Sequence, residues 1–359
     1  MPTFDIIKKH NCKSTFRVDS VLGTYDIQSR EIIESFKGEI NLSDSWQIGL
    51  IVGKSGTGKT TIANQLFSNI LINSFEYSSD SILDDMPLNC SVQEICKTFN
   101  SVGFSSPPSW LKPYSVLSNG EKMRVNLARA ILDEKDLFAF DEFTSVVDRE
   151  VAKVGSFAMQ KAIRKTKKKF IAITCHHDVE SWLLPDWVFN TDTMTFHNNE
   201  GQKKNRPNLK FEIFQTGDKS RYWKMFSKYH YLSHSHNNAA NTYLAVLNEK
   251  ICGFISILHF PHAKSKNIKK VHRLVVLPDY QGLGVGKIML NEIGLIYRKN
   301  GFRFNIVTSS PNLIYSLKKS NNWIMTRFNR TKEVGKKSNR PEMKGSSAKN
   351  RITASFELK

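Results

Sequence analysis

Residues Gly53 to Thr60, GKSGTGKT, satisfy G-x-x-x-x-G-K-[ST] at every fixed position, and this motif restricts a fold more tightly than any other stretch of the chain. It needs a buried strand before it and a helix after it. Leu50-Ile51-Val52 reads as the strand, and Thr61-Ile62-Ala63-Asn64-Gln65-Leu66-Phe67 as the helix. In that setting Gly53, Gly56 and Gly58 let the loop amides turn toward phosphate oxygens. Lys54, Ser55, Thr57 and Thr61 complete the lining, Lys59 brings a charge to the β and γ phosphates, and the Thr60 hydroxyl is a Mg²⁺ ligand. A nucleoside triphosphate is the partner this loop predicts.

The 359 residues exceed the usual size of one core, and the charge divides them. Residues 1–202 hold 22 Lys and Arg against 25 Asp and Glu, whereas 203–359 hold 30 against 8. An excess of that size on the second part calls for an acidic partner, with nucleic acid first and an anionic membrane surface second; a merely soluble basic surface is the plain alternative. Five scattered cysteines form no C-x-x-C pair and suit a reducing cytoplasm. No apolar run approaches the roughly 20 residues of a membrane helix, and the first residues lack a signal-peptide core, so a soluble, cytoplasmic protein is expected.

Alternation in Thr15–Asp19 and Tyr25–Ile27 predicts one or two edge strands before a buried strand at 48–52. Residues 73–90 read as irregular and acidic, 91–100 as a short helix, and Pro107, Pro108 and Pro113 as loop punctuation. Four further segments follow. LSNGEKMR, Leu117 to Arg124, runs into an apolar helix; Asp136 to Phe140 is a strand ending in Asp141-Glu142; Ser145-Val146-Val147-Asp148 comes next; and strand 170–174 leads into Cys175-His176-His177. A strand-end Asp141 can hold Mg²⁺, Glu142 can accept a proton from water, and a histidine on the neighbouring strand can reach the γ-phosphate.

These motifs, in this order over about residues 10–200, resemble the ATP-binding cassette (ABC) superfamily: the signature sequence, Walker B, D-loop and switch histidine. The resemblance implies that Ser118, Gly120, Glu121 and Asp148 help bind ATP, that Glu142 and His176 are catalytic, with His176 preferred to His177, and that two chains sandwich the nucleotide as a homodimer. Asn119 replaces a signature glycine, Lys59 and Ser118 are only 59 residues apart, and Gln93, in a helical setting, is the one glutamine between the helix after the phosphate loop and Ser118, so no Q-loop is assigned. These departures point to a soluble member rather than a transporter. This ABC-type domain is expected over 1–197, followed by a polar linker over 198–208.

The second domain, 209–359, is read as α+β, which makes the whole chain α/β. Strands are expected at 209–214, 242–247, 251–258, 271–277, 304–308, 323–328 and 352–358, with helices from Tyr222 and over 312–319. In YHYLSHSHNN, His230, His234 and His236 lack acidic or cysteine company and read as an aromatic and imidazole-lined loop rather than a metal site. VHRLVVLPDYQGLGVGKIMLNEIG, Val271 to Gly294, is a second strand, turn and anion cradle at a helix N-terminus. It lacks the G-x-G-x-x-G spacing of a dinucleotide site.

This segment resembles the pyrophosphate loop of the GCN5-related N-acetyltransferases (GNAT). That implies acetyl-CoA bound by Gln281, Gly282, Gly284, Gly286 and Lys287, with Val275 and Val276 polarising the thioester carbonyl. Tyr315, near the position of the family's acid tyrosine, is a candidate catalytic residue. More briefly, Tyr229–Ser233 and Ser309-Ser310-Pro311 resemble phage Mom-type acyltransferases that modify DNA adenine. A basic segment, 327–351, carries nine Lys and Arg. The combination implies an ATPase coupled to acyl transfer onto nucleic acid. A protein or small-amine acetyltransferase gated by ATP, and an acyl-CoA-sensing ATPase, are the alternatives.

Overall fold

The computed structural model describes residues 3–43, 45–67, 70–72, 75–199, 210–230, 235–262, 265, 267–330 and 352–359. The expected linker, apart from Asn198 and Asn199, the basic segment from 331 onward, and Tyr231 to His234 lie outside these residues. From the N-terminus run β1 (Thr3–Asn11), α1 (Phe16–Thr24), β2 (Glu31–Glu39), β3 (Ile48–Val52), α2 (Lys59–Leu66), β4 (Leu71–Ile72), α3 (Val92–Ser101), α4 (Pro107–Trp110) and α5 (Asn119–Leu132). Next come β5 (Leu137–Phe140), α6 (Arg149–Ile163), β6 (Lys169–Thr174), α7 (Val179–Leu183), β7 (Trp187–Asn190) and β8 (Thr195–Asn198). The remainder holds β9 (Glu212–Thr216), α8 (Lys219–Ser227), β10 (Asn241–Leu247), β11 (Lys250–His259), β12 (Ile268–Val276), α9 (Val285–Lys299), β13 (Arg303–Thr308), α10 (Pro311–Lys318), β14 (Trp323–Arg330) and β15 (Ile352–Leu358).

The chain forms two compact units that do not follow chain order. One gathers 1–75, 134–146 and 163–205; the other gathers 76–133, 147–162 and 206–359. Two segments of the expected first domain thus pack with the second.

The first unit is built on a six-stranded sheet ordered β4-β5-β6-β3-β7-β8. Its first five strands are parallel, and β8 returns antiparallel beside β7 as a hairpin the sequence reading did not anticipate. A parallel sheet is covered on both faces, which explains why all five residues of β3 are buried. Because β5, β6 and β3 are neighbours pointing the same way, the phosphate loop, Asp141-Glu142 and Cys175-His176 all leave the same edge, where open α/β sheets bind ligands.

At 15–19 the expected strand is a helix. Thr15 is extended and accepts the Val18 amide at 3.3 Å, and Asp19 in the first turn pairs with Arg30 at 2.8 Å. Five alternating residues were too few to outweigh that cap, and α1 buries none of its side chains. Tyr25, which closes α1, is 73% exposed rather than packed.

The second unit holds a seven-stranded sheet, β14-β15-β13-β12-β11-β10-β9, antiparallel except where β12 meets β13. The β10–β11 hairpin turns at Asn248 and Glu249, both at positive φ (49° and 63°), as a two-residue turn matching strand twist requires. α9 crosses between the parallel strands and buries Val285, Met289, Leu290, Ile293 and Tyr297 in the main core.

Arg303 and Glu357 tie β13 to β15 through paired bonds of 2.7 and 2.6 Å, and the guanidinium holds the Glu357 carboxyl below its ordinary 4.5. A lowered folded value means that this stabilisation is complete above about pH 4.5 and is lost as pH falls through the folded value. Glu357→Gln should therefore lower stability at pH 7 by at most about 1 kcal/mol, because Arg303 is 43% exposed, and the difference from the parent should shrink below pH 4 in urea titrations.

Candidate functional site

In the first unit Gly56 and Gly58 hold φ of +85° and +82°, a region that L side chains rarely enter. Phe36 packs where a Gly58 side chain would stand. The loop is braced from β7: Thr57 Oγ1 lies 2.6 Å from Thr191 Oγ1, and the Lys54 amide donates to Asp192 Oδ1 at 2.8 Å. That amide holds the Asp192 carboxyl below its usual range, with His177 Nε2 3.3 Å away adding to the effect. Lys59 Nζ donates to Lys54 O at 2.6 Å, arching over its own loop, and Thr61 Oγ1 accepts from Lys8 Nζ at 2.5 Å. Gly53 donates to Thr174 O, whereas the amides of Ser55, Gly56 and Gly58 meet no backbone carbonyl among the described residues. Loop amides without a backbone acceptor beside an ammonium fit a polyphosphate.

Thr60 Oγ1 donates to Asp141 Oδ2 at 2.7 Å, so the two expected Mg²⁺ ligands are adjacent. Glu142 is exposed, with φ of 50°, and its amide donates to Asp141 Oδ1 at 2.9 Å; Thr144 has φ of 68°. Two non-glycine residues in the left-handed region turn the chain sharply at the strand end and carry Glu142 clear of it. His176 is half-buried, with its amide on Thr174 Oγ1 and Nδ1 3.4 Å from Cys175 Sγ. Of the two histidines, His177 is the one tied to the phosphate-loop brace.

In the second unit the signature residues form a capping box at the start of α5. Ser118 Oγ accepts the Glu121 amide at 3.3 Å, and the Glu121 carboxylate accepts the Ser118 amide at 3.1 Å and the Ser109 hydroxyl at 2.9 Å. Glu121 is buried in that role, while Ser118 and Asn119 are exposed. Asp148 accepts the amides of Glu150 and Val151, at 3.0 and 3.1 Å, and so caps α6.

The second cradle begins where β12 ends. Among the described residues β12 pairs with β13 only through Ile268, Lys269 and Lys270, after which β13 turns to β15, and residues 271–276 pair with no strand on that edge. Val275 is buried opposite Phe254, and Val276 lies opposite Gly253. Gly282 and Gly284 hold φ of +90° and +89°, and the amides from Gly282 to Gly286 meet no backbone carbonyl among the described residues. The Lys287 amide bonds Gly284 O at 3.0 Å, and a Cβ on Gly286 would rest 3.6 Å from Leu274. A strand edge that pairs with no described strand, beside a loop whose amides meet no described backbone carbonyl, suits a pantetheine arm and its pyrophosphate. Tyr315 is 59% exposed on α10, with Lys319 Nζ 4.5 Å over its ring.

Sequence reasoning missed several groups. Trp223, His230, His236, Phe254 and His272 pack ring to ring against β11 and β12 at 5.3–5.7 Å. Burial, reinforced by Arg273 and His236, pushes His272 down to about 3, so it is a neutral acceptor, here of the Asn237 amide at 3.3 Å. Among the described residues no cluster of three His, Cys, Asp or Glu could hold a metal. Thr191 and Asp192 brace the phosphate loop from 134 and 138 residues away, and no local pattern signals that.

Residues 208–314 match the profile of the acetyltransferase (GNAT) family. The chain is also similar to ABC ATPases, so this mixed α/β chain joins a likeness to ABC ATPases with a stretch that matches the GNAT profile. ABC transporter B family member 14 of Arabidopsis thaliana is 30% identical over 169 residues, 45% of this chain and 12% of that protein. The energy-coupling factor transporter ATP-binding protein EcfA of Aster yellows witches'-broom phytoplasma is 26% identical over 182 residues, 40% of this chain and 65% of that protein. A dimeric ATP-binding cassette in a post-hydrolysis state bound to ADP and Pi aligns at 12% identity with a TM-score of 0.40, covering 55% of this chain and 98% of that one. The chain therefore spans less than two thirds of either curated relative. No helix among the described residues is long and apolar enough to cross a membrane.

Proposed function

We propose that this protein hydrolyses ATP in an ABC-type site and transfers an acetyl group from acetyl-CoA to an amine on nucleic acid. The observation that carries the reading is the pair of glycine loops, Gly53–Thr60 and Gln281–Gly286, each at a helix N-terminus and each with amides that meet no backbone carbonyl among the described residues. In the first site Lys59 and the loop amides neutralise phosphate charge, Thr60 and Asp141 hold Mg²⁺, and His176 contacts the γ-phosphate. Glu142 accepts the proton of the attacking water. Ser118 and Gly120 of a second copy complete the site, which makes the working form a homodimer.

In the second site the acceptor nitrogen attacks the thioester carbonyl carbon, polarised by the amides of Val275 and Val276. The C–N bond forms, the C–S bond breaks, and the nitrogen's proton passes to the departing thiolate, with Tyr315 as the donor assigned by resemblance. The Mom-like stretch at Tyr229–Ser233 and the 30 Lys and Arg against 8 acidic residues of 203–359 favour a nucleic-acid acceptor over a protein or small amine. Mass spectrometry of nucleosides from cells expressing the protein should reveal an acylated base that disappears with Glu142→Gln. Acylated protein with unmodified nucleosides would move the reading to a protein acetyltransferase; no acylated product of any kind would leave an acyl-CoA sensor.

A further inference from the structure

The helix that starts at the signature is seated on the acyl-CoA loop. Gly120 and Arg124 are one turn apart on α5 and share a face. A Cβ on Gly120 would stand 3.1 Å from Asp279 Oδ1 and 2.9 Å from Val151 Cγ1, so the helix backbone itself rests against the turn that follows β12. Arg124 is fully buried; its Nη1 donates to Pro278 O and its Nη2 to Asp279 O at 2.8 Å.

A second clamp lies two residues on. Gln281 Nε2 donates to Val276 O, the end of the strand expected to polarise the thioester, at 3.0 Å. Its Oε1 accepts the Ser105 amide at 2.6 Å. Gly103, at φ of +83°, passes so close that a Cβ there would lie 2.6 Å from Gln281 O, and Gly282 packs on Gly103 and on Ala158 of α6. Every brace of residues 278–282 named here comes from sequence that motif order assigns to the ATPase. A guanidinium withdrawn from water is costly; its Nε is buried without a partner, and the two carbonyls that its Nη1 and Nη2 reach belong to the entrance of the cradle. Displacing α5 by a fraction of an ångström therefore displaces the carbonyls that fix where the cradle begins.

We propose that Arg124 is a positioning residue of the acyl-CoA loop, coupling nucleotide engagement at the Ser118–Gly120 end of α5 to acyl-CoA binding at Gln281–Gly286. The coupling rests on the two binding sites proposed above. It is reciprocal by linkage: whatever factor ATP applies to CoA affinity, CoA applies to ATP affinity.

Calorimetry on full-length protein carrying Glu142→Gln, which prevents turnover, tests this with CoA and Mg-ATP as probes. CoA affinity should change at least about 5-fold on saturation with ATP, and ATP affinity by the same factor on saturation with CoA. In Arg124→Met, CoA should bind more weakly and no longer respond to ATP, while ATP still binds. Should Arg124→Met fail to fold, Gly103→Ala, which presses on Gln281 O without removing a buried charge, should lower the coupling factor toward one. Two ligands that bind with affinities independent of each other overturn the coupling and leave the sites intact. Coupling that survives in folded Arg124→Met or Gly103→Ala overturns the role of this contact. A protein that binds only one of the probes overturns the reading of the other site, and the coupling with it.

Discussion

Glu142→Gln should lower ATP hydrolysis by a factor of about 10²–10⁴ while ATP binding persists. The effect follows from the strand-end geometry. Asp141 accepts from the Thr60 hydroxyl and from the Glu142 amide, which in the proposed site commits its carboxylate to the Mg²⁺ position and leaves the water to Glu142. Glu142 follows at φ of 50°, exposed, with its side chain free of that commitment. An amide keeps the size and the turn but cannot accept the proton. Phosphate release measured beside gel filtration in ATP should show a stalled enzyme that accumulates as a dimer. Asp141→Asn should behave differently, weakening Mg-ATP binding itself. Undiminished hydrolysis in Glu142→Gln would remove Glu142 from the reaction.

Gly284→Glu should weaken CoA binding by about 100-fold or more and leave ATP hydrolysis measured without CoA unchanged. A Cβ at Gly284 would meet no atom within 4 Å, so the cost is not a clash in the core. It has two other sources. At φ of +89° an L residue is strained by about 1–2 kcal/mol, which tilts the amides of the cradle. The new carboxylate also stands at the helix N-terminus where a pyrophosphate would lie, and like charges there oppose binding. Titration with CoA separates this outcome from misfolding, because the far-UV spectrum and the ATPase rate should match the parent. CoA bound with parental affinity would show that the pyrophosphate lies elsewhere.

The parts of this protein legible in sequence are those whose chemistry is written in consecutive residues. A phosphate cradle needs successive amides, so GKSGTGKT and QGLGVG announce themselves, and the structure places both at helix N-termini. The hairpin at Asn248-Glu249 and the capping box from Ser118 to Glu121 are equally local. α1 was misread because five alternating residues resemble an edge strand until the Thr15 cap and the Asp19–Arg30 pair, 11 residues apart, are taken together. His230 and His236 lie outside helix and strand, as the aromatic and imidazole-lined loop expected there has them, but their ring partners Trp223, Phe254 and His272 stand on other elements, which no local pattern signals.

What sequence alone determined is the chemistry offered at each cradle: the amides, Lys59, the Asp141-Glu142 pair and the unusual glycines at 282 and 284. Tertiary structure alone decided which segments are built together. Residues 76–133 and 147–162 fold with the GNAT part because Gly103, Arg124, Val151 and Ala158 present a buried face that closes on residues 278–282, a contact bridging 154 residues in the case of Arg124. A side chain's hydrogen-bonding groups are fixed by its type, but the carbonyl it finds at that distance is fixed only by packing. The signature motif therefore reads in sequence as half of an ATP site, and stands in the structure as the footing of the turn at residues 278–279.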